Sequence, residues 1–469
     1  MSDRKRVTFL VITLMAVIAI ALTLTDRSQA LKEKTFDDQI SGNAQLLFKQ
    51  GKEIFRFDTF GDEVFWGDTL KLHRAIEGSK FGGVGEGVSP KTALAAGLKV
   101  DMDALPEALV KQVKEGKVNL EDPATTLALL KLNAVVGVKG HFNQDGSLKT
   151  MGISCAFCHS TVDDAFAPGI GRRLDGWPNR DLNVGAIVSL APDLSAYTKL
   201  LGVDEATVKK VFASWGPGKF DALLNLDGKA FRPDGKPAAT LIPAAFGLAG
   251  VNQHTWTGGW GNVTYWNAYV ANLEMQGQGT FFDARLNNAA QYPVAAKAGF
   301  GNKRRRHDMV TAKLAALHLY QLAIPAPTPP EGSYDKAAAT RGEAVFIGKA
   351  NCAQCHAPPL FTEPGDNTHK GAEIGIEDFQ ANRSPGKSYR TAPPGGLWAI
   401  QTDRGGAIDG ARLFRRRLSS DWQSERRRSR RARTGRRSRR GDNKSGEAEG
   451  RRSIRSSEQE AERTIREGD

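Results

Sequence analysis

All four cysteines of this 469-residue chain fall in two C-x-x-C-H pentads, Cys155-Ala-Phe-Cys158-His159 and Cys352-Ala-Gln-Cys355-His356. No other feature constrains the fold as strongly, because each pentad must present two thiols and an imidazole to one rigid group. The spacing lets two sulfurs add to the vinyl groups on one edge of a haem, while the next residue reaches the iron beneath the ring. For a single copy, a redox dithiol is the competing reading. Two copies, each followed at once by histidine and with no cysteine to spare, argue against it. Zinc fits poorly, since the two pairs lie far apart in the chain rather than at zinc-ribbon spacing. The expectation is therefore two c-type haems (iron), one on Cys155, Cys158 and His159 and one on Cys352, Cys355 and His356, with His159 and His356 as metal ligands.

The N-terminus agrees with that chemistry. Arg4, Lys5 and Arg6 are followed by an uncharged apolar stretch over residues 7–24, and Ser28-Gln29-Ala30 offers a small-x-small cleavage site. Residues 1–30 read first as a signal peptide and second as an uncleaved inner-membrane anchor. Either reading exports the body to the periplasm, where c-type haem is attached in bacteria. The formal net charge of +13 does not indicate nucleic-acid binding. Residues 411–469 hold nineteen arginines and one lysine against ten acids, and residues 31–410 are close to neutral. Basicity confined to one end marks a solvated arm.

Between leader and tail, the patterning predicts a mainly α fold with loop-rich connections. Ser41 is a candidate cap for a helix carrying Ala44, Leu47, Ile54 and Phe55. Residues 121–138 read as a helix leading toward the first pentad, the run 81–87 as a loop, and β patterning is sparse. A good helix over 337–346 ends near Gly348, just before Cys352, and Pro358-Pro359 stop further helix. The expected organisation is an N-terminal haem domain with long insertions (31–322), a proline-rich linker (323–334), a C-terminal cytochrome c-like domain that is incomplete (335–410), and the tail (411–469).

Several segments resemble the bacterial di-haem cytochrome c family, which includes the di-haem peroxidases and methylamine-utilisation-type enzymes. They are the two pentads with a large segment between them, F-D-T-F-G-D-E-V-F-W at 57–66, G-W-P-N-R-D at 176–181, and the helix before C-A-Q-C-H at 337–356. The resemblance runs from about 41 to 399. It implies two cytochrome c-like haem domains, with His159 and His356 as proximal ligands. The family's peroxidases supply a methionine to the second haem from downstream of its pentad. This chain departs from that pattern, having no methionine after Met309.

Function then turns on the sixth iron ligands. An electron carrier wants two strong axial ligands, whereas peroxide cleavage wants an open iron position and a group that moves a proton. The first expectation is an exported electron-transfer cytochrome that meets a redox partner protein. The alternative is a peroxidase or oxygen-using oxidoreductase with a small-molecule oxidant. Met275, His254 and His369 are the candidate distal ligands, although a methionine on a helix is more often core filler. Arg172, Arg173 and Arg180 are candidates for haem propionates, with a solvated role equally open to each. The aromatic run from His254 to Tyr269 reads first as core and second as a haem-pocket wall or electron path. Residues 411–469 hold too few apolar residues to bury a core. Their Arg, Ser, Gly and Ala bias suits a gene read out of frame better than a basic docking arm.

Overall fold

The computed structural model describes residues 35–397. The signal or anchor reading of 1–30, the disordered-arm and frameshift readings of 411–469, and the last residues of the 335–410 module lie outside the described residues. Helix outweighs strand, 42% against 10%, as the sparse β patterning predicts. Strands among the described residues occur only as two-stranded pairs.

The first described helix, Phe36–Phe57, begins at Thr35 rather than at Ser41. Thr35 Oγ1 accepts the Asp38 N–H at 3.1 Å, and the Asp38 carboxylate accepts the Thr35 N–H at 2.9 Å. This reciprocal capping box satisfies two orphan donors at once and starts the helix ahead of Ser41. The helix packs along Leu314–Leu322, bringing the two ends of the N-terminal region together. Gly51 makes the approach possible, since a Cβ there would lie 2.0 Å from the Ala316 carbonyl oxygen. Tyr320 fills the seam, its ring 5.4 Å from Phe48 and 5.6 Å from Phe55.

The single helix expected over 121–138 is in fact two elements. Helix runs only over Pro123–Lys131. Asn133 then takes φ 52°, a left-handed conformation that asparagine tolerates. The valine-rich residues that follow enter a hairpin, Val138–Phe142 against Leu148–Ile153. Downstream, Lys336–Ile347 forms the expected helix, capped by Asp335 and ending at Gly348. Residues 323–334 have no helix or strand, yet they are docked on the body. The Ile324 carbonyl accepts the Gly247 N–H at 2.8 Å, and Ala326 packs beside Trp177 and Phe246.

The largest hydrophobic cluster gathers Phe55, Phe60, Trp66, Leu182, Phe212 and Met275, and Phe157 of the first pentad belongs to it. A second cluster holds Trp260, Tyr269, Phe281 and Tyr292. The stretch around 377–391 is fastened to the N-terminal body by Arg383. Its guanidinium meets Asp227 Oδ2 at 2.8 Å and Asp221 Oδ1 at 2.9 Å, all three side chains being 1% exposed.

Candidate functional site

The hairpin ends directly in the first pentad. Ser154 Oγ donates to the Arg56 carbonyl at 2.9 Å and the Ser154 N–H to the Gly137 carbonyl at 3.0 Å. Gly137 has φ 76°, and a Cβ there would lie 2.1 Å from the Phe157 nitrogen, so only glycine lets the hairpin touch the pentad. Ala156–His159 then makes one helical turn. The 176–181 stretch holds this turn from the other side. Gly176 N–H donates to the His159 carbonyl at 2.8 Å and Asn179 N–H to the Cys158 carbonyl at 2.9 Å.

Cys155, Cys158 and His159 open into a cavity with an empty volume of about 1050 Å³, which Trp66, Glu274 and Met275 also line. An adjoining lobe of about 690 Å³ shares Cys155, His159 and Met275 and adds His254, Gln321 and Arg390. Burial pushes both thiols up to about 12. They are therefore neutral at physiological pH, which is the opposite of an activated redox dithiol.

His159 is pulled down to about 4, mainly by burial, with the Pro243 carbonyl opposing and Arg180 assisting. Its Nδ1 lies 3.1 Å from the Pro243 carbonyl oxygen. A carbonyl only accepts, so Nδ1 carries the proton and Nε2 keeps its lone pair. The second pentad repeats the arrangement, with His356 Nδ1 3.1 Å from the Phe361 carbonyl oxygen. Two histidines in separate parts of the chain are thus held in the same tautomer.

The surroundings of the two pentads differ sharply. Around the second, Val345, Ile347, Leu360 and Phe361 are 50%, 53%, 42% and 37% exposed. Cys352 follows the Lys336–Ile347 helix in a short 3₁₀ turn, and Phe346 sits 6.2 Å from the His356 ring. The first pentad is enclosed, and the second lies on an open, apolar face.

Of the three distal candidates, Met275 and His254 reach the first cavity, and they are 4% and 5% exposed. The Met275 carbonyl accepts Trp66 Nε1–H at 3.0 Å, which ties the 57–66 stretch to the cavity wall. His369 is placed beside Cys355, but both its nitrogens are engaged, Nε2 by Glu363 at 2.6 Å and Nδ1 by Glu373 at 2.7 Å. Those carboxylates raise its pKa and favour the imidazolium, which has no lone pair to give. Arg173 is taken by Asp101 at 2.6 Å. Arg172 donates its backbone N–H to Asp163 Oδ1 at 2.8 Å. Arg180 stays beside His159 with Nε and Nη1 buried and unpaired. In the aromatic run, Trp260 and Tyr269 anchor the second core as expected, and Trp256, Trp260 and Trp266 line the cavity.

Among the cavity residues that the sequence reading does not name, two carry ionisable groups, Glu274 and Arg390. Glu274 is fully enclosed. Its Oε1 accepts the Tyr269 hydroxyl at 3.0 Å, its Oε2 has no partner, and burial holds its pKa well above the carboxylate range. The signal was there to read, since Glu274 is the one acid between His254 and Phe282. Arg390 lines the smaller lobe from the stretch after the second pentad, and no local pattern marks it. No protein-family model, curated protein or solved structure matches this chain.

Proposed function

We propose that this chain is an exported, periplasmic di-haem c-type cytochrome that passes single electrons to and from a redox partner. Its two haems would be carried in cytochrome c-like modules on Cys155, Cys158 and His159 and on Cys352, Cys355 and His356. The observation that carries the reading is the shared histidine geometry. Both His159 and His356 give Nδ1–H to a backbone carbonyl at 3.1 Å and keep Nε2 for a metal. The first site also fits the group in other respects: two neutral thiols on one wall, a cavity beside them, and Arg390 with a buried, unpaired Nη1 in the wall of the adjoining lobe. Bound haem would supply one-electron redox chemistry at its iron. The protein's part is to hold each ring, exclude water from the first and set its axial ligands.

For a carrier, the first iron needs a second strong ligand, and we assign Met275, which borders both lobes. Met275→Ala should turn the first iron from low-spin to high-spin, lower its midpoint potential and open it to cyanide. His254→Ala should leave that spectrum unchanged. Optical and paramagnetic-resonance spectra of each iron in both oxidation states check this. A low-spin first iron that survives Met275→Ala would remove the assignment.

Glu274 favours a second reading, a di-haem peroxidase with one ligand-accessible iron. A buried carboxyl that stays protonated at neutral pH, with one oxygen free in the cavity, can give a proton to an oxidant and take it back. Under this reading Glu274→Gln keeps two haems and cuts peroxide turnover by ~10²–10⁴-fold. If the unaltered protein, supplied with a reduced electron donor, turns over no peroxide, the carrier reading stands alone.

A further inference from the structure

The helix Glu107–Lys114 carries Leu109, Val110 and Val113 on one face and Glu107, Lys111 and Lys114 on the other, yet none of its residues is buried. A helix of eight residues is marginal without tertiary packing of its apolar face. Here that face meets open space. Leu109 and Val113 line a cleft of about 340 Å³ together with Leu94, Val100, Ala128 and Ile170. An inner cavity of about 70 Å³ shares Leu94, Val100 and Leu129 with the cleft, and it shares Trp66, Ile153 and Phe157 with the first pentad's cavity. The two cations in these walls each have a carboxylate of their own, Lys99 with Asp181 and Lys117 with Glu115 at 2.9 Å. Thr126, in the inner wall, is 5% exposed, and its Oγ1 is buried without a partner among the described residues. A buried water needs about two to four polar partners, more than this single hydroxyl supplies.

We propose that the cleft beneath Glu107–Lys114 and its inner cavity bind an uncharged, mainly apolar small molecule with one hydrogen-bonding oxygen, a compound of the phenol type. Size permits it, since an apolar cavity of about 150 Å³ already takes up benzene. Charge selects it. With Lys99 and Lys117 already paired, an ionic ligand finds no counter-charge in these walls, and burying one unpaired is costly. The ring covers Leu109 and Val113 and so completes the packing that their helix lacks, while the oxygen meets Thr126 Oγ1. Trp66 and Phe157 place the inner end of this site one wall away from the first pentad's cavity. The inference goes beyond the di-haem reading and does not rest on it, because these walls use no pentad thiol and no pentad histidine.

The test titrates phenol and toluene into the full-length holoprotein by ligand-observed magnetic resonance, with Ala128→Phe, Ala124→Phe and Thr126→Val as variants. Ala128 is exposed and lines the cleft, so a phenyl ring there fills the site without displacing any core. Both probes should bind the unaltered protein saturably. Ala128→Phe should abolish both and leave the melting temperature unchanged, and Ala124→Phe repeats the block one turn away should the first variant fail to fold. Thr126→Val should weaken phenol by ~2–10-fold, the worth of one hydrogen bond, and leave toluene as it was. Saturable binding of neither probe, or binding that survives both phenylalanine variants, overturns the inference. A Thr126→Val effect that is absent, or equal for the two probes, overturns the ligand class. Haem count and haem spectra enter none of these readouts, so failure here leaves the di-haem reading intact.

Discussion

Cys155→Ala combined with Cys158→Ala should take the covalent haem count from two to one and leave the body markedly less stable. Cys352→Ala with Cys355→Ala should give the same count with a much smaller loss. The asymmetry follows from where the pentads sit. The first opens into a cleft lined by residues of the main core, among them Trp66, Phe157 and Met275. A tethered group that packs only in the folded state stabilises that state through those contacts, and the tether keeps its effective concentration at the site high. Without it, apolar walls such as Trp66, Phe220 and Trp266 lose their contacts, and the cost rises with the residual volume, ~24 cal/mol per Å³ in measured cavities. The second pentad lies on an open face where Val345 and Ile347 are half exposed, so little packing is lost with its haem. Intact mass and thermal unfolding of both double variants check the pair of outcomes. Two haems remaining after the first double substitution would end the di-haem assignment, and equal melting losses would end the asymmetry.

What the sequence disclosed about the site was local, and what it concealed was remote. The pentads are legible because each gathers its two thiols and imidazole within five consecutive residues. The helix at 336–347 is legible for the same reason, its cap Asp335 and its stop Gly348 lying at its own ends. The carbonyl that fixes His159 comes from Pro243 and the walls from Trp66, Glu274 and Gln380, and no periodicity links those positions. The 121–138 helix failed because apolar spacing outran a backbone decision at Asn133, where a left-handed residue diverts the chain into a strand. Met275 and His254 stand out in a chain with few methionines and histidines, and both reach the cavity. His369 stands out for the same reason, yet two carboxylates already claim it. Residue type alone does not say whether a side chain is free to ligate.

Arg383→Met should cost ~3–5 kcal/mol of stability, the range for removing one partner from a buried ion pair. The substitution keeps most of the side chain's bulk and leaves Asp221 and Asp227, each 1% exposed, without their cation. Burial already raises Asp221 above its ordinary value, with Arg383 as the main opposing influence. Removing Arg383 raises Asp221 further, so the folded variant holds a proton more tightly than the unfolded chain does. Stability then increases as pH falls through the raised folded value and is lost as pH rises, and the variant's deficit should be larger at pH 8 than at pH 5. Neutralising the acids as well, with Asp221→Asn and Asp227→Asn, should recover much of the deficit, because replacing a whole buried network is often close to neutral. Urea unfolding of the single and triple variants at both pH values measures each step. A single-variant loss below ~1 kcal/mol would place Arg383 with exposed pairs, which contribute little. The consequence reaches the first site, because Arg383 fastens the segment that brings Gln380 and Arg390 to the cavity.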